Sequence, residues 1–223
     1  MPMTAPDYAR YFTPGHSFTY ESGQRGTLHV AVAGELWLPS GQVTACDPFI
    51  GLGSGEAEPF TARVAPGRYR VETAIATLVT PGEPASDTPH LRTAAARLVI
   101  SDTETVSWEQ ALLAGQDAAA LGEDEYYGYG VDAGAGCFYD VTADESFPLC
   151  EGDEGPLWDA FEENDHGPGP YLVAGEQGHN LAAFSSGWGD GSYPTWVGRD
   201  RAGAVTCFVT DFFVVPTEED GAA

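Results

Sequence analysis

The run YRVETAIATLV, residues 69–79, alternates β-branched or aromatic side chains with polar or small ones. A period of two sends successive side chains to opposite faces, which marks a strand rather than a helix. LRTAAARLVIS, residues 91–101, has the same character, and a Pro-rich segment, 81–90, lies between the two. Strands this long carry a full row of backbone donors and acceptors that must be satisfied. The two runs are therefore expected to pair antiparallel across that loop, and this pair commits the chain to a sheet.

Shorter runs extend the pattern. SFTYE (17–21), TLHVAV (27–32) and ELWLP (35–39) read as strands, and Ser40-Gly41 turns the last into QVTAC (42–46), a hairpin that stops at Asp47-Pro48. Pro66-Gly67 suits the centre of a type II turn. GYGVD (128–132), NLAAFSS (180–186), SYPTWVG (192–198) and AVTCFVTDFFVV (204–215) complete the set, and 28 Gly and 16 Pro punctuate it. Helical signals are few. TAPDYARYF (4–12) has Thr4 as cap and Pro6 in the first turn. SWEQALLAG (107–115) has Ser107 as cap, Gln110 at the capping-box position and Gly115 as terminator. GPLWDAFEEN (155–164) places Leu157, Trp158 and Phe161 at helical spacing, and CFYDVTAD (137–144) suggests a helix start. The expectation is an α+β fold, predominantly antiparallel β-sheet with two or three short helices in the middle of the chain. It forms one domain over residues 1–223 with a frayed tail at 216–223.

Charge narrows the function. There are 34 acidic and 9 basic residues, a net charge of −25, and all nine basic residues are Arg. From Leu98 to Gly198 there is no basic residue and there are twenty acidic ones. Such a surface repels phosphate backbones and anionic lipid, so neither nucleic acid nor membrane is an expected partner. A basic protein partner or a divalent cation suits it, as does a role in solubility alone. The opening MPMTAPDYARYF has no basic stretch followed by an apolar one, so no secretory signal is expected. The location read from this is cytoplasmic, where the four cysteines, Cys46, Cys137, Cys150 and Cys207, would stay reduced. Their wide spacing does not suit a zinc knuckle.

Five strings stand out: LPSGQVTACDP (38–48), APGRYRV (65–71), GYGVDAGAGCFYD (128–140), NLAAFSSGWGDGSYPTWVGRDRAG (180–203) and VTDFFVV (209–215). In this order they resemble the bacterial domain-of-unknown-function 4241 family, over about residues 30–215. The resemblance implies a stand-alone bacterial domain whose acidic and glycine positions matter together. It implies no reaction.

The same strings hold the candidate site residues. In VDAGAGCFYD the glycines permit a sharp turn. A helix beginning near Gly136 would place Cys137 in its first turn, lower the thiol pKa and make it a nucleophile, with His179 or His166 as base. Asp47, Asp132, Asp140, Asp190, Asp200 and Asp211 all fall at strand ends or turns. Gathered together, Asp132, Asp140 and Asp190 would hold a divalent metal or supply an acid–base pair. Kept apart, each aspartate would cap its own turn. In SSGWGDGSYPTW, Trp188, Asp190, Tyr193 and Trp196 form either a packed corner between two strands of a hairpin or a ligand site. Two functional classes follow: a binding or interaction domain with a Gly/Trp/Asp-lined site, or a metal- or carboxylate-dependent hydrolase.

Overall fold

The computed structural model describes residues 1–56, 58–82, 89–147 and 154–217. Most of the Pro-rich loop 81–90, Cys150 and most of the tail 216–223 lie outside the described residues. Strands dominate: β1 (Ser17–Thr19), β2 (Arg25–Leu38), β3 (Val43–Cys46), β4 (Gly67–Val79), β5 (His90–Val99), β6 (Ser107–Gln110), β7 (Gly128–Val131), β8 (Ala135–Asp140), β9 (Tyr171–Ala174), β10 (Asn180–Ser185), β11 (Gly191–Arg199) and β12 (Val205–Asp211). Among the described residues helix is confined to α1 (Tyr8–Tyr11), α2 (Pro156–Glu162) and short 3₁₀ segments at Ala118–Ala120, Val141–Ser146 and Glu176–Gly178. The protein is mostly antiparallel β-sheet with short helices, as its periodicities predict.

The predicted pair of long strands is β4 and β5, joined antiparallel from Arg70↔Val99 to Leu78↔His90. It forms the centre of a large sheet of order β1-β2-β4-β5-β12-β11-β6, in which β7 also pairs with β11. Register shifts at Val32/Gly34, Ala74/Ile75 and Gly198/Arg199 break the ladders. Such bulges bend a strand and raise its twist, and this sheet curls into a half-barrel. A second sheet, of order β3-β8-β10-β9, packs against it.

The second sheet is buried on both faces, which explains why β8 and the middle of β10 carry no polar alternation. Phe138, Ala182 and Phe184 join Leu28, Leu36, Leu98 and Phe208 in the core between the sheets. On the opposite face Cys137, Tyr139, Leu181 and Ala183 pack under Leu157 and Phe161 of α2. The expected helix at 155–164 is therefore present, and its apolar stripe covers the second sheet.

Several expectations are corrected. TLHVAV and ELWLP are one strand, β2, interrupted only by its bulge, and the expected hairpin from it into QVTAC is absent because β3 crosses to the second sheet and pairs with β8. Gly67 opens β4 without a left-handed φ, so Pro66-Gly67 is not a type II turn. SWEQALLAG is not a helix. Its first four residues are β6, which pairs with Trp196–Arg199 at the edge of the large sheet. Sheet pairing overrides a capping pattern that is worth only about 1 kcal/mol. The first helix is shorter than predicted and is capped by Asp7, whose carboxylate accepts from Ala9 N–H, rather than by Thr4. CFYDVTAD continues β8 and then makes a 3₁₀ turn.

Candidate functional site

The predicted nucleophile is not activated. Cys137 lies within β8, so no helix begins at Gly136 and no helix dipole acts on the thiol. Burial instead pushes the Cys137 thiol well up, and the adjacent Cys46 adds to this. Cys137 faces Cys46, whereas the His179 ring packs on Trp37 of β2 at 5.0 Å between centroids. His166 sits against Trp158. The thiol–imidazole arrangement of a hydrolase is not assembled.

The aspartates serve turns and joints. Asp140 is fully buried; its carboxylate accepts from Ser40 N–H and hydroxyl and from Thr142 N–H and hydroxyl, at 2.6–3.0 Å. Asp47 accepts from Phe49 N–H with one oxygen and from the Asp132 and Ala133 N–H groups with the other, at 2.8–2.9 Å. Asp200 accepts from Ala202 and Ala204 N–H inside the β11–β12 hairpin. Asp132 and Asp190 themselves are exposed. Among the described residues no group of three His, Cys, Asp or Glu side chains could hold a metal ion, so Asp132, Asp140 and Asp190 are not brought together.

The SGWGDG stretch is a packed corner, but not a hairpin tip. It carries the chain from β10 in the second sheet to β11 in the large one. Ser186 N–H donates to Gly134 O, and the Ser186 and Tyr193 hydroxyls both donate to Gly189 O at 2.8 Å. Gly187 has φ +62°, and a β-carbon there would lie 2.8 Å from Phe212 Cβ, so this position requires glycine. Tyr193 and Trp196 are buried in the core, the former against Phe212. Trp188 stays exposed, under the Arg92 guanidinium.

A different place has the features of a ligand site. β3 is an edge strand of the second sheet. Between it and the β6–β7 region lies a cleft of about 350 Å³, within the usual range for ligand pockets. Ala45, Ile50, Phe60, Ala111, Leu113 and Tyr129 supply apolar walls, Thr44 and Cys46 line it from β3, and Glu56 and Glu58 also border it. Val141 N–H donates to Gln42 O, which makes Gln42/Val141 a hydrogen-bonded rung of the β3–β8 ladder. Alternation then turns the Ala45 N–H and C=O away from β8, toward the open edge.

Among the described residues, buried polar atoms with no hydrogen-bond partner include Thr44 Oγ1 and Tyr129 Oη, of two lining residues, and Gln110 Nε2, of the residue before the lining Ala111. Thr44 is 2% exposed and Gln110 is 7% exposed. Gln110 precedes the lining residue Ala111, and its Oε1 accepts from Tyr127 N–H, which fixes the amide orientation and leaves Nε2 free. The Tyr129 hydroxyl lies over Gly136, where a β-carbon would run into it, and burial pushes its pKa well up. The Thr210 hydroxyl, which also bonds Thr195, lies close enough to offset that rise in part. Buried polar groups are nearly always paired, so unpaired atoms on residues in and beside the lining of one cleft require explanation. None of Cys137, His179, Asp132, Asp140, Trp188, Asp190, Tyr193 or Trp196 lines this cleft. An unpaired hydroxyl is a tertiary property, and QVTAC and YYGYG carry no local signal of it.

Comparison with known proteins gives one result of this kind: a family model described as Protein of unknown function (DUF4241) matches residues 36–210. No curated protein and no solved structure matches. Among the described residues no helix is long and apolar enough to cross a membrane.

Proposed function

We propose that this chain, which belongs to the DUF4241 family of proteins of unknown function, is a small-molecule-binding protein whose site is the cleft at the edge of β3. The observation that carries the reading is the unpaired, buried Thr44 Oγ1 in a cleft with largely apolar walls, with the unpaired Tyr129 Oη and Gln110 Nε2 on residues in and beside its lining. A ligand carrying a matching hydrogen-bonding group would relieve a desolvation cost of about 1–3 kcal/mol at each of them. Among the described residues the lining contains no Arg or His, and Glu56 and Glu58 border it. The ligand class is thus an apolar or aromatic body with at least one hydrogen-bonding group, neutral or cationic rather than anionic.

The test is a ligand-observed NMR screen of small aromatic amines against carboxylates of matching shape. Amines should bind and carboxylates should not. Thr44→Val and Tyr129→Phe should each weaken binding about tenfold, the effect of one lost hydrogen bond of roughly 1.4 kcal/mol. Equal binding of both classes, or affinities indifferent to both substitutions, would overturn the reading.

A further inference from the structure

Cys46 and Cys137 stand directly opposite each other on β3 and β8, with Sγ atoms 3.7 Å apart. The two differ in access. Cys137 is fully buried, while Cys46 is half-buried and lines the cleft. They occupy a hydrogen-bonded rung, because the ladder alternates from the bonded pair Gln42/Val141. On such a rung Cα atoms stand about 5.5 Å apart, inside the span a disulfide bridges. Closing the remaining gap from 3.7 Å needs only side-chain rotation toward an S–S bond of about 2.05 Å.

We propose that Cys46 and Cys137 form a reversible disulfide, a redox modification site that takes two electrons' worth of oxidation from small organic disulfides entering the cleft. The inference rests on small molecules having access to that cleft, as the binding reading does, but needs no natural ligand there. The Cys46 thiolate attacks one sulfur of the disulfide RSSR. One RS⁻ leaves and takes up a proton, and Cys46 is left as a mixed disulfide. Cys137 then loses its proton and attacks Cys46 Sγ, forming the Cys46–Cys137 bond, and the second RS⁻ leaves as RSH. Two thiols become one disulfide and RSSR becomes two RSH. Reduction by any dithiol reverses the sequence. The half-buried position of Cys46 makes it the attacking residue, and burial keeps Cys137 a protonated thiol until the mixed disulfide forms beside it.

The experiment treats the full chain with cystamine, a small cationic disulfide suited to the acidic border. Acid quench, alkylation and peptide mapping by mass spectrometry follow. The wild type should lose the mass of two hydrogen atoms and yield a peptide linking residues 46 and 137. Cys137→Ser should stop at a cysteamine mixed disulfide on Cys46, and Cys46→Ser should leave Cys137 unmodified. The oxidised wild type should also melt higher by about 5–15 °C, as expected for closing a long loop, and a dithiol should abolish the shift. This melting comparison uses only the wild type and holds even if a variant folds poorly. Separate alkylation of Cys46 and Cys137 after full oxidation, or linkage of either to another cysteine, would overturn the proposal. If the link forms but the NMR screen finds no ligand, the binding reading fails and the dithiol site stands. If amines bind but no link forms, the reverse holds.

Discussion

Asp211 is the most exacting test of how the large sheet is held together. It ends β12, is fully buried, and accepts from Phe213 N–H and from the Tyr8 hydroxyl of α1, each at 2.9 Å. Burial raises its carboxyl pKa from 3.8 to about 6, and the bonds from Phe213, Tyr8 and Tyr11 hold it from rising further. A carboxyl with a raised folded-state pKa favours folding while protonated, and that advantage disappears as pH climbs through about 6. The rise from 3.8 to about 6, at roughly 1.4 kcal/mol per pH unit, makes ionisation cost about 3 kcal/mol of stability between these limits. Glu72 works in the opposite sense. Burial pushes its pKa up, but hydrogen bonds and charge from Arg97 and Arg70 outweigh this and leave it low, so its stabilisation is lost as pH falls.

Tyr8→Phe isolates the Asp211 contribution, because it leaves Glu72 and both its arginines in place. At pH 8 the substitution strips an O–H donor from a buried carboxylate, a bond to a charged group worth about 1.5–3 kcal/mol. At pH 4.5 Asp211 is protonated, and the same bond is worth about 1 kcal/mol. The cost should therefore grow by about 1–2 kcal/mol from pH 4.5 to pH 8. Urea unfolding at both pH values and fixed ionic strength measures it, provided the slope is unchanged. In an Asp211→Asn background the growth should vanish. An equal cost at both pH values in the wild-type background would refute the assignment of Tyr8 as donor to an ionised Asp211.

Three further outcomes follow from the same structure. Thr44→Val removes an orphan hydroxyl at constant shape, so the ligand-free protein should gain about 1 kcal/mol in urea unfolding while its affinity for amine probes falls. Asp140→Ala removes a buried acceptor from the part-buried N–H groups of Ser40 and Thr142 and should cost about 2–4 kcal/mol, read as a lower urea midpoint. Gly187→Ala combines a left-handed φ with a clash against Phe212 and should cost about 2–4 kcal/mol by the same assay, whereas Gly189→Ala, at φ +104° with open space around it, should carry backbone strain alone.

The β content was legible because period-two alternation is a local signal: β4, β5, β7, β10, β11 and β12 all lie where the pattern places them. Which strands pair is not local. Ser40-Gly41 and the SGWGDG stretch carry turn chemistry, yet both are crossings from one sheet to the other, and nothing in a turn's sequence distinguishes a hairpin from a crossing. The SWEQ segment shows the same limit, since its helix-capping letters serve an edge strand once Trp196–Arg199 is available to pair with it. The site was less legible still. Aspartate and glycine draw attention because they do special things to backbone, and here Asp47, Asp140 and Asp200 do only that. The proposed site rests on hydroxyls such as those of Thr44 and Tyr129, whose residue types are ordinary and whose lack of partners exists only in three dimensions.

The strings that carry the family resemblance acquire a common physical meaning when mapped onto the two sheets. LPSGQVTACDP supplies Ser40, which donates to Asp140, and Asp47, which receives the Asp132 and Ala133 N–H groups; both partners belong to GYGVDAGAGCFYD. Ser186 of the SGWGDG string donates to Gly134 of that same string, and Gly187 packs on Phe212 of VTDFFVV. The strings are the joint where the chain passes between the sheets. The cleft opens along this joint, with Thr44, Ala45 and Cys46 on one side and Gly128 and Tyr129 on the other, all within the strings. A joint in which buried carboxylates accept several charge-assisted hydrogen bonds is rigid, and it can hold a largely apolar cleft open against collapse. Weakening the joint at Asp47 should therefore reduce ligand affinity although Asp47 does not line the cleft. Asp47→Asn, which removes the charge but keeps the shape, would be the gentlest variant to show it.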